Sequence, residues 1–372
     1  MKGEIMLRLL DEETGTLRTF FVYDAHHHIG EDVDGNENVP IGNNGSYEFS
    51  KKLENEVVEM LEGSNSRYRL PEEGEAVLSE RGEEDHPYGL LDQIVVFPMK
   101  DRFRDDGEIP FSKSNENICK WVNGDYHKRR LIGFGRVDPS GIEGARDEVK
   151  KFPDRYGLVG LKIHPDSERF HLDSNQVIQL YVDCARMGLP IIFHTGYPSD
   201  VENIHDGINK TISLLVENDM ESLVSQLNVI IGHCSYEDDE VFRYLSHPCI
   251  YGEMSTLSQP ESFIRSAREN ISLSTFANKT LDEFNDEVGG RLKSNIWDIF
   301  QVNTHWSGKL MLGTDHPFLP RENIVDLVEA LFCSELAEEL EPKAIQNILG
   351  GNLIDILPTA VNLHVSTLKS ED

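Results

Sequence analysis

Residues 158–196 read LVGLKIHPDSERFHLDSNQVIQLYVDCARMGLPIIFHTG. Three elements succeed one another there. Leu158–Ile163 and Pro190–Phe193 are apolar runs too short for helices. Such runs, rich in Val, Ile and Phe, suit strands buried on both faces of a parallel sheet. Between them, Ser174–Met187 has helical character. Ser174 is placed to cap its N-terminus, Val177, Tyr181 and Cys184 form an i, i+4, i+7 apolar stripe, and Gly188 ends it. Strand, helix, strand in this order is a βαβ unit.

Working outward, the same kind of run recurs at Thr19–Tyr23, Gln93–Phe97, Leu131–Val137, Asn228–Ile231, Cys249–Gly252 and Lys309–Leu312, which makes eight strands in all. Eight βα-type strands predict an α/β fold, a (β/α)8 TIM barrel, rather than a doubly wound sheet. No GxGxxG or GxxxxGK[ST] stretch follows any strand, so nucleotide-binding α/β folds lose weight. Ile5–Leu10 and Thr16–Phe20 flank Asp11–Gly15 and predict an N-terminal β-hairpin within residues 1–22. Two connections are long enough to be insertions at the barrel mouth. Residues 31–90 surround an amphipathic piece near Tyr47–Leu61. Residues 255–308 carry helical patterns near Ser262–Asn270 and Leu281–Phe300. The barrel is expected over 23–358, with a helix after Asn352 and a polar tail over 359–372, and the 372 residues form one domain.

Composition narrows the function classes. The chain carries 35 Lys+Arg against 66 Asp+Glu, a formal charge of −31. That balance argues against nucleic acid and anionic membrane partners, which need a basic patch. It reads as solubility charge or as adaptation to a salty cytoplasm. No run approaches the ~18 apolar residues of a membrane span, and the first residues lack the apolar core of a signal peptide. The five cysteines, Cys119, Cys184, Cys234, Cys249 and Cys333, are odd in number and never at CxxC spacing. A disulfide framework is not expected, and a reducing, cytoplasmic location is. Dimers are the commonest assembly, so a homodimer is the oligomer to expect.

The informative feature is where the ionisable residues fall. The first barrel strand ends Asp24-Ala-His26-His27-His28-Ile-Gly30. Alternate residues of a strand share a face, so His26 and His28 can converge on one centre, and imidazole is a standard ligand for zinc, iron and manganese. Later strands end in Lys162-Ile-His164-Pro165, His194-Thr-Gly196, His233-Cys234 and Asp315-His-Pro317. In a barrel the C-terminal strand ends meet around one mouth. Five such ends form a single constellation for a metal or catalytic site. Weaker candidates are Arg136 and Asp138 after the third strand, Glu253 after the seventh, and Lys100 and Tyr197. A bracing role suits these better than a catalytic one. His27 and His316 face away from the ligands. Cys234 has no paired base and is not expected to act as a nucleophile.

The ordered motifs Asp24-x-His26-x-His28-x-Gly30, Gly160-x-Lys162-x-His164-Pro165, Pro190-x-x-x-His194-Thr195-Gly196, Gly232-His233, Gly313-Thr314-Asp315-x-Pro317 and Ile348-Leu-Gly-Gly-Asn352 resemble the amidohydrolase superfamily. The branch they resemble is that of aminocarboxymuconate-semialdehyde decarboxylase and related TIM-barrel metal-dependent hydrolases. The resemblance covers about residues 23–357. It implies that His26, His28, His194 and Asp315 hold one divalent metal ion, with His233 beside the water. Zinc is favoured, with manganese or iron as alternatives. Lys162 and His164 share a face of the fourth strand. Lys162, with His194 and His233, could serve a second metal as in binuclear members. The Lys-x-His-Pro wording instead favours one metal, with Lys162, His164 and Arg136 near substrate.

The expected function is metal-dependent hydrolysis of a small molecule. A metal-activated water attacks a carbonyl-type carbon of an amide, lactone or ester, and Asp315 moves the proton. His233 is the second catalytic candidate. Two alternatives stand beside it: metal-dependent non-oxidative decarboxylation of a small aromatic or unsaturated carboxylic acid, and a non-catalytic metal-holding barrel.

Overall fold

The βαβ unit of residues 158–196 forms as its sequence dictates. In the computed structural model, strands Gly160–Ile163 and Ile191–Phe193 pair in parallel and flank helix Asn175–Met187. Ser174 caps the helix by accepting a hydrogen bond from Val177 N, and Gly188 terminates it at φ 64°. Val177, Tyr181 and Cys184 are all buried. The structure describes residues 7–31, 37–39, 43–64, 66–71, 89–98, 111–123, 130–165, 170–196, 198–234, 244–256, 304–319 and 321–358.

The described strands are β1 (Leu7–Asp11), β2 (Thr16–Phe20), β3 (Tyr23–Glu31), β4 (Glu37–Val39), β5 (Tyr68–Arg69), β6 (Gln93–Pro98), β7 (Leu131–Arg136), β8 (Gly160–Ile163), β9 (Ile191–Phe193), β10 (Val229–Ile231), β11 (Ile250–Glu253) and β12 (Leu310–Met311). Strands β3 and β6 to β12 are the eight parallel staves of a (β/α)8 barrel, in chain order. The last stave meets the first through Ala25 N to Leu312 O (3.0 Å), Asp315 N to His26 O (2.8 Å) and His28 N to His316 O (2.9 Å). Beyond this closure β4 pairs antiparallel with β3.

Alternation along the staves separates two cores, as the two-residue period requires. Val95, Phe97, Ile132, Phe134, Ile192, Ile230 and Met311 fill the barrel interior, where Leu353, Ile354 and Ile356 of helix Asn352–Ile356 join them. Their neighbours Ile94, Val96, Leu161, Ile163, Ile191, Phe193, Val229 and Ile231 face outward to the helices. Full burial of each such side chain contributes about 1.5–3 kcal/mol. Gly160 leaves room for an interior ring: a Cβ there would lie 2.4 Å from Phe134.

The N-terminal hairpin is present as β1 and β2, and β5 adds a third strand to it. The first stave differs from the expectation of Thr19–Tyr23. Thr19 and Phe20 belong to the hairpin, and the stave runs over Tyr23–Glu31, through the histidine motif itself. The amphipathic piece in the 31–90 connection is helix α1 (Asn43–Glu62), which packs on helix α2 (Glu322–Cys333). Expected helices near 262–270 and 281–300, together with Lys100, Tyr197 and the tail 359–372, lie outside the described residues. Among the described residues no helix is long and apolar enough to cross a membrane.

Candidate metal centre

Strand β3 carries a bulge between Asp24 and His27 in its pairing with β6. Without it, Asp24, His26 and His28 would share one face. One extra residue re-aims the side chains beyond it. Ala25 packs in the barrel interior, Asp24 turns outward with His27, and His26 and His28 both reach the mouth above Phe97. The ring of Phe97 lies 5.0 Å from that of His26 and 4.7 Å from that of His28.

Three donor atoms converge there. His26 Nε2 is 3.3 Å from His28 Nε2, and each lies 3.1 Å from Asp315 Oδ1. All three residues are buried. Ligands held about 2.0–2.2 Å from a tetrahedral zinc sit roughly 3.3–3.5 Å apart, so the spacing fits a single ion. Protonation fits as well. Burial holds His26, His28, His164, His194 and His233 well below the usual histidine range, and the Lys162 charge adds to the effect at each. The imidazoles are therefore neutral, the form that ligates. Burial pushes Asp315 well above the carboxylate range; Lys162 opposes the rise, and Glu253 and Asp24 add to it. A cation beside Oδ1 would remove that penalty. The donor set thus fits a divalent metal.

Two buried carboxylates brace the centre. Glu253 Oε2 accepts from His26 Nδ1 at 2.8 Å and from His233 N at 3.0 Å. Burial raises Glu253 to about 7, against the lowering effect of its hydrogen bonds from the His233 and Ser255 backbones and the Ser255 hydroxyl. A Cβ at Gly313 would lie 2.1 Å from Glu253 Oε1, so the glycine of Gly313-Thr-Asp315 makes room for this carboxylate. Asp24 Oδ1 accepts from His26 N and Thr314 N, and Oδ2 from Thr314 Oγ1 and His27 Nδ1. It ties the first stave to the segment before Asp315. His233 (φ 63°), Cys234 (φ 43°) and Asp315 (φ 47°) all adopt left-handed backbone conformations. Strain of this kind costs about 1–3 kcal/mol per residue and persists where surroundings over-determine it. Here Glu253 holds His233 N, and His26 O holds Asp315 N.

The remaining sequence candidates fall around this core. Lys162, fully buried, places Nζ 3.1 Å from His26 Nε2 and 4.8 Å over the Phe97 ring. His194 Nδ1 lies 3.1 Å from His233 Nε2, and its ring stacks on His164 at 3.8 Å. Two groups of three bring their donor atoms within 4.8 Å among the described residues: His26, His28 and Asp315, and His26, His233 and Glu253. His194 enters neither; it adjoins the cluster through His233. Arg136 is fully buried, with its guanidinium 5.2 Å over Phe111, and its charge helps hold His28, His164 and His194 neutral. Asp138 caps the turn Pro139–Gly141, a bracing role. The rings of His27 and His316 lie behind the site, 4.8 Å apart and tilted by 33° to one another. Ser46 was not singled out in sequence; its Oγ meets His27 Nε2 at 3.0 Å from the first turns of α1. No local signal links a serine in an insertion to a histidine nineteen residues earlier.

The amidohydrolase family profile matches residues 23–248, more than half of the chain, and the protein belongs to that family, one of enzymes. Solved structures resemble it at low identity. An uncharacterised TIM-barrel protein of Bordetella bronchiseptica is 16% identical over 73% of this chain and 78% of its own, with TM-score 0.46. The 4-oxalomesaconate hydratase of Rhodopseudomonas palustris is 14% identical over 94% and 100%, with TM-score 0.49. The 5-carboxyvanillate decarboxylase of Novosphingobium aromaticivorans, complexed with manganese and a nitrobenzoic acid, is 13% identical over 91% and 96%, with TM-score 0.44. No curated protein matches significantly.

Proposed function

We propose that the protein is a metal-dependent hydrolase of a small carbonyl compound, with one divalent ion held by His26, His28, Asp315 and His194. The observation that carries this reading is the convergence of His26 Nε2, His28 Nε2 and Asp315 Oδ1 within 3.1–3.3 Å of one another at the barrel mouth. An imidazole-rich set with one carboxylate suits zinc first, then manganese or iron. When bound, the ion would supply Lewis acidity to a carbonyl oxygen and acidify a water.

The residues do the rest. Asp315 turns Oδ1 to the imidazoles and Oδ2 toward His233, whose Nδ1 is 3.9 Å away. It takes the proton of the attacking water and passes it to the leaving group. His233 stands beside that water. Lys162, at the floor beside Phe97, binds an anionic substituent of the substrate. A second reading, non-oxidative decarboxylation of a small carboxylic acid, is favoured by one observation: two cations, Lys162 and Arg136, are fully buried at the ends of neighbouring staves. They suit a carboxylate held face-on to Phe97.

The test is a screen of amides, lactones, esters and phenolic acids with the metal-loaded protein, following new acid and CO2 together. A hydrolysis product without CO2 supports the first reading. CO2 without a hydrolysis product exchanges the two. Metal-loaded protein that turns over none of these classes overturns both.

A further inference from the structure

Glu253 ends β11 with its carboxylate fully buried. Oε2 accepts from His26 Nδ1, from His233 N and from Ser255 Oγ, and Oε1 accepts from Ser255 N. Two of these four donors are backbone amides, whose direction cannot reverse. A hydroxyl has one proton. Ser255 spends it on Oε2 at 3.1 Å, so toward His233 Nδ1, 2.9 Å away, it can only accept. His233 therefore carries its proton on Nδ1, and its Nε2 is a lone pair. That lone pair faces His194 Nδ1 at 3.1 Å, which must then be the N–H, so His194 Nε2 carries no proton. At His26 the 2.8 Å contact to Glu253 Oε2 sets the direction, and Nε2 faces both Lys162 Nζ and Asp315 Oδ1 at 3.1 Å. Its Nδ1 donates to Glu253, and the Lys162 ammonium is a group that can only donate.

We propose that Glu253 is the common end of a hydrogen-bond chain, His194–His233–Ser255–Glu253–His26, that fixes the Nδ1–H tautomer in all three rings. Glu253 and Ser255 are positioning residues. They make every one of these imidazoles carry its lone pair on Nε2, the atom that His26 and His194 need as ligands and with which His233 accepts from His194 Nδ1. Which ring nitrogen carries the proton is set by the bond the other makes. The free side chain prefers the opposite, Nε2–H tautomer, so the chain does chemical work on each ring. The same bonds account for the second donor group: His26, His233 and Glu253 form a hydrogen-bond junction in which Glu253 Oε2 accepts from His26 Nδ1 and from His233 N. The role assigned to His26 and His194 rests on the metal reading above; the tautomers do not.

The test is 15N NMR of the full chain labelled at histidine, above neutral pH, without and with zinc, alongside zinc affinity by chelator competition. The zinc-free wild type is expected to show Nδ1–H at His26, His194 and His233. Ser255→Ala should release His233 and His194 toward the Nε2–H form while His26 stays, held by Glu253. Glu253→Ala should weaken zinc about 10–100-fold, as loss of an outer acceptor does; should it fail to fold, the wild type and Ser255→Ala decide. Nε2–H at His26 or His233 in the wild type, or Ser255→Ala with His233 unmoved, overturns the proposal. Zinc binding with the opposite tautomers sinks the chain and spares the metal reading. The stated tautomers with no zinc bound sink the metal reading and spare the chain.

Discussion

Substituting Gly313 by Ala probes the link between packing and the centre. An ideal Cβ at this position would stand 2.1 Å from Glu253 Oε1, 2.4 Å from its Cδ and 2.5 Å from its Cγ. Real Cβ contacts are essentially never under 3.0 Å, so the carboxylate must retreat by roughly 1 Å. It has nowhere easy to go, because backbone amides of His233 and Ser255 hold it. A retreat of that size takes the 2.8 Å bond to His26 Nδ1 beyond hydrogen-bond reach. Overpacking of a dense interior costs about 1–3 kcal/mol, and a lost bond to a charged group about 1.5–3 kcal/mol. The two are not additive, so we expect a destabilisation of about 2–5 kcal/mol. Zinc affinity should fall about 10–100-fold. The control is Gly144→Ala, in helix Ile142–Val149, where a Cβ meets nothing within 4 Å. It should gain up to about 1 kcal/mol from helix propensity and leave zinc affinity alone. Urea unfolding followed by circular dichroism, with chelator competition on the folded proteins, reads both quantities. Gly313→Ala with the wild-type midpoint and wild-type zinc affinity would refute the reasoning.

Other contacts set three further outcomes. Gly135→Ala would drive a Cβ to 2.2 Å from the Phe152 ring; we expect about 1–3 kcal/mol of destabilisation by urea unfolding, without the metal defect of Gly313→Ala. Lys162→Met removes the ammonium that donates to His26 Nε2. Zinc affinity should hold or rise while KM for an anionic substrate climbs, and a fall in zinc stoichiometry would contradict the mononuclear reading. Asp11 is buried, which alone would raise it, but the bidentate Arg67 and nearby Arg18 hold it below the usual range. A lowered folded pKa stabilises fully above the unfolded value, about 3.9, and the gain is lost as pH falls through the folded pKa. The stability difference between wild type and Asp11→Asn should therefore shrink on acidification below about pH 4; a pH-independent difference by urea titration would contradict this.

The sequence made most of the barrel legible because parallel staves are short, doubly buried and apolar. Seven of the eight runs fall on staves within a few residues. The first did not, for a physical reason. Phe20, Phe21, Val22 and Tyr23 form one unbroken apolar stretch, although the hairpin ends at Phe20 and the stave starts at Tyr23, and periodicity cannot divide a run buried on both sides. The stave's own body, Asp24 to His28, is polar and reads as a loop until its partners are known. In the site, alternation places His26 and His28 on one face, and in a regular strand Asp24 would join them. Only the bulge, invisible in composition, turns Asp24 to the other face. Glu253 was readable as a brace at the mouth. Its bond to His26 spans 227 positions in the chain, and no local pattern encodes such a pairing. Thr314 and Gly313 appeared as motif letters whose reasons, a second donor to Asp24 and room for Glu253, exist only in three dimensions.

The most direct test of the central claim is metal stoichiometry on the purified full chain. Elemental analysis after zinc or manganese loading and gel filtration should find one equivalent in the wild type. It should find little in His26→Ala and His28→Ala variants that keep the wild-type circular dichroism. A fully folded wild type that retains no metal, or one equivalent retained undiminished in both variants, would contradict the assignment of this centre.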